Sequence, residues 1–237
     1  MERLALTQAS VEDAAARAGA LLRAGGVILY PTDTLYGLGA DALSDEAIAK
    51  LYSIKERDGS KPIHCIVADL AMAQTYGEFN ETGRRLVKEF LPGPLTIVVE
   101  KKQGIDSGIA RNIETIGIRI PDNEFCIALA REFGKPYTTT SANVSGMETP
   151  TIVEEILKQL SSLGFVNPNS GLRNPNIGNE ATDAIDLVID AGELPASAPS
   201  TVVGVSGTDV VILREGAIPA GEIFEALGKL LPERDGL

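Results

Sequence analysis

Two stretches of this chain gather groups that can hold and polarise a phosphorylated ligand. Pro31-Thr32-Asp33-Thr34-Leu35-Tyr36-Gly37-Leu38-Gly39 sets two hydroxyls, a carboxylate, a phenol and two glycines directly after the apolar run Val27-Ile28-Leu29-Tyr30. Open α/β sheets take ligands in polar loops at strand ends, although Thr and Asp also satisfy the backbone of an ordinary turn. Ile54-Lys55-Glu56-Arg57-Asp58-Gly59-Ser60-Lys61-Pro62 gathers three cations where a helix should end. Arg grips phosphate oxygens with a planar fork and Lys adds a compact charge. The same cations would also suit a helix C-terminus, a placement worth tenths of a kcal/mol to about 1 kcal/mol.

Neither stretch is a standard nucleotide loop. No GxxxxGK[ST] occurs, and Gly37-Leu38-Gly39 lacks the third glycine of a dinucleotide fingerprint. A nucleotide site in this chain must therefore be assembled from dispersed side chains. Arg119, within Ile116-Gly117-Ile118-Arg119-Ile120-Pro121, sits in an apolar strand where a lone guanidinium is costly, so it must meet a carboxylate or a ligand anion. Thr138-Thr139-Thr140-Ser141-Ala142-Asn143-Val144-Ser145-Gly146 runs from a β-prone segment into small polar residues able to bond phosphate, ribose or carboxylate. Pro199-Ser200-Thr201-Val202-Val203 and Ile212-Leu213-Arg214-Glu215-Gly216 repeat an apolar strand bounded by a hydroxyl or a cation. Pro92-Gly93-Pro94-Leu95-Thr96 reads as a rigid turn feeding a strand. The single histidine, His64, lies in Ile63-His64-Cys65-Ile66-Val67, where it either packs or faces a cavity, with a general-base or ligand role open to it.

The elements that must position these groups alternate between strand and helix. A capping pattern at Ser10 opens a helix that Gly25 stops, and strand Val27 to Tyr30 follows. The residues after it form a loop up to a helix carrying Ile48, Leu51 and Ile54. Strands are expected near Ile63 to Ala68, Leu95 to Glu100, Ile116 to Ile120 and Tyr137 to Thr140, with helices near Glu81 to Phe90 and Glu124 to Phe133. A helix opening at Thr151, strands near Ile185 to Ile189, Thr201 to Val205 and Val210 to Leu213, and a last helix near Ala220 to Leu231 complete the pattern. The pattern implies an α/β fold with an open, mixed sheet, because the C-terminal strands follow one another without helices between them. Ser161 to Thr182 is rich in Ser, Asn, Gly and Pro and is expected to be a long surface loop, either a lid or an insertion.

The 237 residues suit one domain spanning 1–237, and 44% hydrophobic content is ordinary for a globular chain. The apolar runs fall short of the roughly 20 residues a membrane-spanning helix needs, and the start carries no secretory pattern. A cytoplasmic location without membrane contact is expected. Cys65 and Cys126 form neither a CxxC pair nor a metal cluster, which argues for buried, reduced thiols. A net charge of −12 opposes tight non-specific nucleic-acid binding but permits a locally basic pocket for a small anion.

Taken in order, PTDTLYGLG, KER with its following KP, PGPLT, IGIRIP, TTSANVSG, STVV and ILREG resemble the L-threonylcarbamoyladenylate synthase family, the YrdC-like proteins, over roughly Gly25 to Gly216. The resemblance implies a sheet flanked by helices around a deep, positively charged cavity. There L-threonine, bicarbonate and ATP, with Mg²⁺ accompanying the ATP, would be joined into threonylcarbamoyl-AMP with release of pyrophosphate. It implies that Thr34, Arg119, Thr139 and Ser200 contact threonine, with Arg119 on its carboxylate. Lys55, Arg57, Lys61, Thr115, Ser141, Asn143, Thr149 and Arg214 would face ATP, with Lys55 and Arg57 catalytic through charge stabilisation. The implied partners are tRNA threonylcarbamoyl transferase proteins that use the product to modify an adenosine, with at most a weak contact to tRNA itself.

Two positions depart from the family pattern: many relatives carry asparagine where Lys61 stands and histidine where Ile66 stands. The chain is also expected to be a short form without the extra C-terminal domain of longer members. Two other readings compete, a non-catalytic RNA-binding protein of the same fold and a carbamoyltransferase module.

Overall fold

The computed structural model describes residues 1–55, 62–161 and 184–228. Among them, ten strands form one sheet in the order β1-β8-β2-β3-β7-β4-β6-β5-β9-β10. The strands are β1 (Glu2–Ala5), β2 (Ile28–Tyr30), β3 (Gly37–Gly39), β4 (His64–Ile66), β5 (Leu95–Glu100), β6 (Thr115–Arg119), β7 (Tyr137–Ser141), β8 (Leu187–Asp190), β9 (Thr201–Ser206) and β10 (Asp209–Arg214). The expected mixed sheet is present: β4 runs parallel to β6 and β5 parallel to β9, whereas β5 and β6, β4 and β7, and β9 and β10 are antiparallel.

Seven helices flank it among the described residues: α1 (Val11–Arg23), α2 (Asp45–Lys55), α3 (Leu70–Tyr76), α4 (Glu81–Phe90), α5 (Glu124–Phe133), α6 (Val153–Ser161) and α7 (Ala220–Ala226). Side-chain caps fix several of their starts. Ser10 accepts from the Asp13 amide at 3.0 Å, Asn80 from Gly83 at 2.9 Å and Asn123 from Cys126 at 3.1 Å, each replacing a partner that the first helical turn lacks.

Alternation along the strands divides the core in two. Ile28, Tyr30, Ile66, Leu187 and Ile189 pack with Ala14, Ala18 and Leu22 of α1 and Phe125, Leu129 and Phe133 of α5. Leu29, Cys65, Ile97, Val99, Ile118, Val188 and Val203 point to the opposite face, against α2, α4, α6 and α7.

Two corrections follow. The stretch after Tyr30 is not loop throughout, because Gly37–Gly39 pairs antiparallel with β2 on one side and β7 on the other. The pairing needs glycine: a Cβ at Gly39 would lie 2.9 Å from Cε1 of Tyr30, whose ring occupies that face. The polar N-terminus also forms a strand, β1, parallel to β8 and tied to it by Arg3, whose Nη2 lies 2.5 Å from Asp190. The expected loop at 161–182 lies outside the described residues, apart from Ser161, which ends α6.

Candidate active site

Thr32 organises the first loop. Its hydroxyl accepts from the amides of Thr34 and Leu35, both at 3.1 Å, and is 2.7 Å from the Leu35 carbonyl. The Cys126 thiol donates to the Pro31 carbonyl at 3.3 Å, and burial pushes that thiol up to about 12, so it stays a neutral donor. The Tyr36 phenol turns away from the loop, donating to Gly192 at 2.7 Å and accepting from the Ala191 amide at 3.0 Å. Burial pushes it up to about 12 as well. Thr32 and Tyr36 thus build the turn, and the turn carries Asp33 and Thr34.

Arg119, only 4% exposed, meets both of them. Its Nη2 is 2.5 Å from Asp33 Oδ1 and 3.1 Å from Thr34 Oγ1, and its Nε donates to the Gly93 carbonyl at 3.4 Å. The ion pair anticipated as one alternative is thus formed. Asp33 Oδ2 is buried without a hydrogen-bond partner among the described residues. The Pro92-Gly93-Pro94 turn is structural, as expected, and it also orients the guanidinium: the Gly93 amide donates to Ile120 at 2.8 Å while its carbonyl receives Arg119.

At the end of α2, Lys55 is 2% exposed. Its Nζ donates to Asn143 Oδ1 at 3.1 Å and to the Ser141 carbonyl. Asn143 Oδ1 also accepts from Ser141 Oγ at 2.6 Å, and its amide donates to the Met147 carbonyl. A buried ammonium persists only with such partners, so the TTSANVSG segment and the end of α2 form one polar unit. On the far wall, Ser200 Oγ is 3.0 Å from Thr96 Oγ1. Arg214 reaches the Ser200 carbonyl at 2.7 and 3.2 Å and its hydroxyl at 3.2 Å.

These units face one cavity of about 980 Å³, near the upper end for ligand sites and roomy enough for a nucleotide with an amino acid. Of the residues expected from sequence, Thr34, Lys55, Thr115, Arg119, Thr139, Ser141, Asn143, Ser200 and Arg214 line it. Thr149 does not. Arg57 and Lys61 lie outside the described residues. Along β6 the cavity is lined by Thr115, Gly117 and Arg119, which share one face of the pleat, and by Ile116 beside them.

His64 also lines the cavity. It is the register partner of Thr139 across β4 and β7, and its ring lies over Gly117, where a Cβ would come within 2.3 Å of its Cδ2.

The sequence reading missed Arg111, Thr96 and Tyr52, which line the cavity too. Arg111 follows the 3₁₀ turn Gly108–Ala110 and pairs with Asp45 in the first turn of α2. A cation just ahead of the strand that bears Thr115 was the available signal for it. Among the described residues, no group of three or more His, Cys, Asp or Glu residues could hold a metal ion, and no helix is long and apolar enough to cross a membrane.

The Sua5, YciO and YrdC family model, described as telomere recombination, matches residues 20–166. A Methanocaldococcus jannaschii protein named "Putative threonylcarbamoyl-AMP synthase" is 38% identical over 196 residues, covering 82% of this chain and 82% of that protein. The threonylcarbamoyl-AMP synthase of Bacillus subtilis is 31% identical over 217 residues, covering 91% of this chain but 57% of its own length. Pyrococcus abyssi Sua5 complexed with L-threonine superposes with a TM-score of 0.79 at 26% identity, over 97% of this chain and 61% of that one. This chain therefore spans most of the archaeal relative but little more than half of the longer ones. With a family-model match over more than half its length and a relative 38% identical over most of both chains, the chain belongs to the Sua5, YciO and YrdC family.

Proposed function

We propose that this chain is a threonylcarbamoyl-AMP synthase, condensing L-threonine, bicarbonate and ATP into threonylcarbamoyl-AMP, pyrophosphate and water. The carrying observation is that one cavity is lined by two sets of groups: Arg119 in contact with Thr34, together with Ser200, and Lys55 and Ser141 in contact with Asn143, together with Thr115, which stands at the opposite end of β6 from Arg119. The first set suits the carboxylate of an amino acid. The second, with a buried ammonium among hydroxyl and amide groups, suits a polyphosphate and ribose. The likeness to a solved protein that holds L-threonine supports the same reading.

In this reading the threonine carboxylate engages Arg119 beside Thr34, Thr139 and Ser200. Lys55, Arg57, Lys61 and Arg214 neutralise phosphate charge, and Thr115, Ser141 and Asn143 line the nucleotide end. The threonine carbamate attacks the α-phosphorus and pyrophosphate leaves, without a covalent enzyme intermediate. Rate enhancement comes from holding the reactants together and from fixed cations around the transferring phosphorus. Mg²⁺ would accompany ATP and help to neutralise its phosphate charge. We further read residues 1–237 as a single domain working in the cytoplasm, passing its product to a tRNA threonylcarbamoyl transferase. With a net charge of −12, direct contact with tRNA would be weak.

Incubation with α-labelled ATP, Mg²⁺, L-threonine and bicarbonate tests the reading. It predicts a labelled adenylate that needs both threonine and bicarbonate, with pyrophosphate formed in equal amount. ATP hydrolysis indifferent to threonine would refute it.

A further inference from the structure

Joining threonine to bicarbonate leaves a proton to dispose of. Near neutral pH the α-amino group is an ammonium, which has no lone pair. It must lose a proton before its nitrogen can attack the carbon of bicarbonate, and a group in the cavity has to receive it.

Few described groups around this cavity can do so. Lys55, Arg111, Arg119 and Arg214 are cations. Asp33, behind Arg119, has Oδ1 engaged in the ion pair and Oδ2 buried. The Tyr36 phenol is committed to Ala191 and Gly192, Tyr52 is a phenol on α2, and the Cys65 side chain belongs to the core on the opposite face of β4. His64, the only histidine in the chain, is the one group among the described lining residues whose ordinary titration falls near neutrality.

Its placement fits the chemistry. The ring lies over Gly117, whose missing Cβ leaves the space it fills, and across the ladder from Thr139. On β6 the cavity-facing positions either side of Gly117 are Arg119, at the proposed amino-acid end, and Thr115, at the proposed nucleotide end. Each lies two residues from Gly117, about 7 Å along the strand. The imidazole is thus between the two ends, where the carbamate must form before its oxygen reaches the α-phosphorus.

We propose that His64 is the base that takes the proton from the threonine ammonium in carbamate formation. The proposal rests on the synthase reading above. One N–H proton passes to an imidazole nitrogen, freeing the amine lone pair. The N–C bond forms at the bicarbonate carbon, and the C–OH bond breaks. The departing hydroxide takes a second N–H proton and leaves as water, and the carbamate keeps the negative charge. The imidazolium returns its proton to solvent after turnover. A base needs one ring nitrogen, so a hydrogen bond at the other orients the ring without blocking it.

The test compares wild type with H64Q from pH 6 to 9, following threonine-dependent adenylate from labelled ATP and measuring ATP binding by calorimetry. General-base catalysis is worth ~10²-fold or more. H64Q should therefore lose about that factor in kcat/KM for threonine at pH 7.5, with ATP affinity unchanged. Its rate should climb about tenfold per pH unit as free amine accumulates, while the wild type levels off above the imidazole range. A wild-type rate in H64Q, or a reduced rate whose pH profile keeps the wild-type shape, overturns the role of His64 and leaves the synthase reading intact. No adenylate from the wild type overturns the synthase reading and the proposal with it.

Should H64Q fail to fold, the wild type still decides. The chain has a single histidine, so its imidazole proton resonance in solution NMR reports His64 alone. Saturation with threonine and a non-hydrolysable ATP analogue should move that resonance and its titration midpoint. An unmoved resonance overturns the proposal.

Discussion

Asp33 and Arg119, 86 residues apart in sequence, meet at 2.5 Å with side chains 11% and 4% exposed. The pair locks the first loop onto the central strand β6 and fixes the guanidinium at the cavity wall. Breaking a buried pair from one side strands the other charge, at a cost of about 3–5 kcal/mol. R119M should therefore lower the unfolding free energy by about that much. The double variant R119M/D33L should recover part of the loss, because no charge is then left alone. Chemical denaturation of the three proteins measures this, and a double variant no more stable than R119M would contradict it.

Lys55 holds its ammonium against Asn143 and Ser141. K55M keeps the buried stem and removes only the charge, so kcat with saturating threonine should fall ~10²–10³-fold, the usual loss when a fixed donor to developing charge is deleted. Steady-state kinetics check this, and a kcat within about threefold of wild type would place the phosphate charge elsewhere.

Gly117 makes room for the His64 ring. In G117A the new methyl would displace the imidazole, the movable member of the pair, so activity should fall with little change in melting temperature. G117A/H64A should be no less stable than G117A. A G117A enzyme of wild-type activity would show that the ring position is immaterial.

Ser200 and Arg214 share two kinds of contact. S200A removes the hydroxyl that meets Thr96 and Arg214, yet the Ser200 carbonyl still holds the guanidinium at 2.7 and 3.2 Å. The KM for threonine should therefore rise by about tenfold, as loss of one hydrogen bond of ~1.4 kcal/mol predicts, while the KM for ATP stays put. Parallel rises in both constants would mean that Arg214 had moved.

Alkaline stability follows from the buried thiols. Burial pushes Cys65 and Cys126 up to about 12 in the fold, whereas unfolded thiols ionise near 8.5. Folded values above the unfolded ones mean that this contribution is complete below about pH 8.5 and is lost as pH rises towards 12, by up to about 1.4 kcal/mol per pH unit for each thiol. Denaturation from pH 7 to 10.5 should show that decline. C65A/C126A should flatten it, and an unchanged slope would contradict the assignment.

Helices α4 and α5 and strand β5 are legible in the sequence to the residue, because amphipathic spacing, an asparagine cap and flanking Pro or Gly agree there. Strand β3 is not, since two of its three residues are glycines whose use is to admit Tyr30, and Leu38 as the one side chain shows no alternation. Strand β1 is hidden by its charges, which find their partners only once the chain has folded, Arg3 with Glu154 and Asp190 and Glu2 with Arg17. In the site, residue type identified Lys55, Arg119 and the hydroxyl-rich segments. It left open whether Arg119 meets protein or ligand, and the carboxylate that the fold brings to it, Asp33, comes from 86 residues away, beyond the reach of any local pattern. Arg111 and Thr96 reach the cavity through a 3₁₀ turn and a sheet register that no local pattern encodes.

The central claim is that one cavity holds an amino acid and a nucleotide side by side. A crystal structure of the chain with L-threonine and a non-hydrolysable ATP analogue tests it most directly. The account predicts the threonine carboxylate on Arg119 beside Thr34, the phosphates at Lys55, and the amine facing His64 with the α-phosphorus beyond it. Threonine or nucleotide bound outside this cavity, or the two excluding each other within it, would contradict the account.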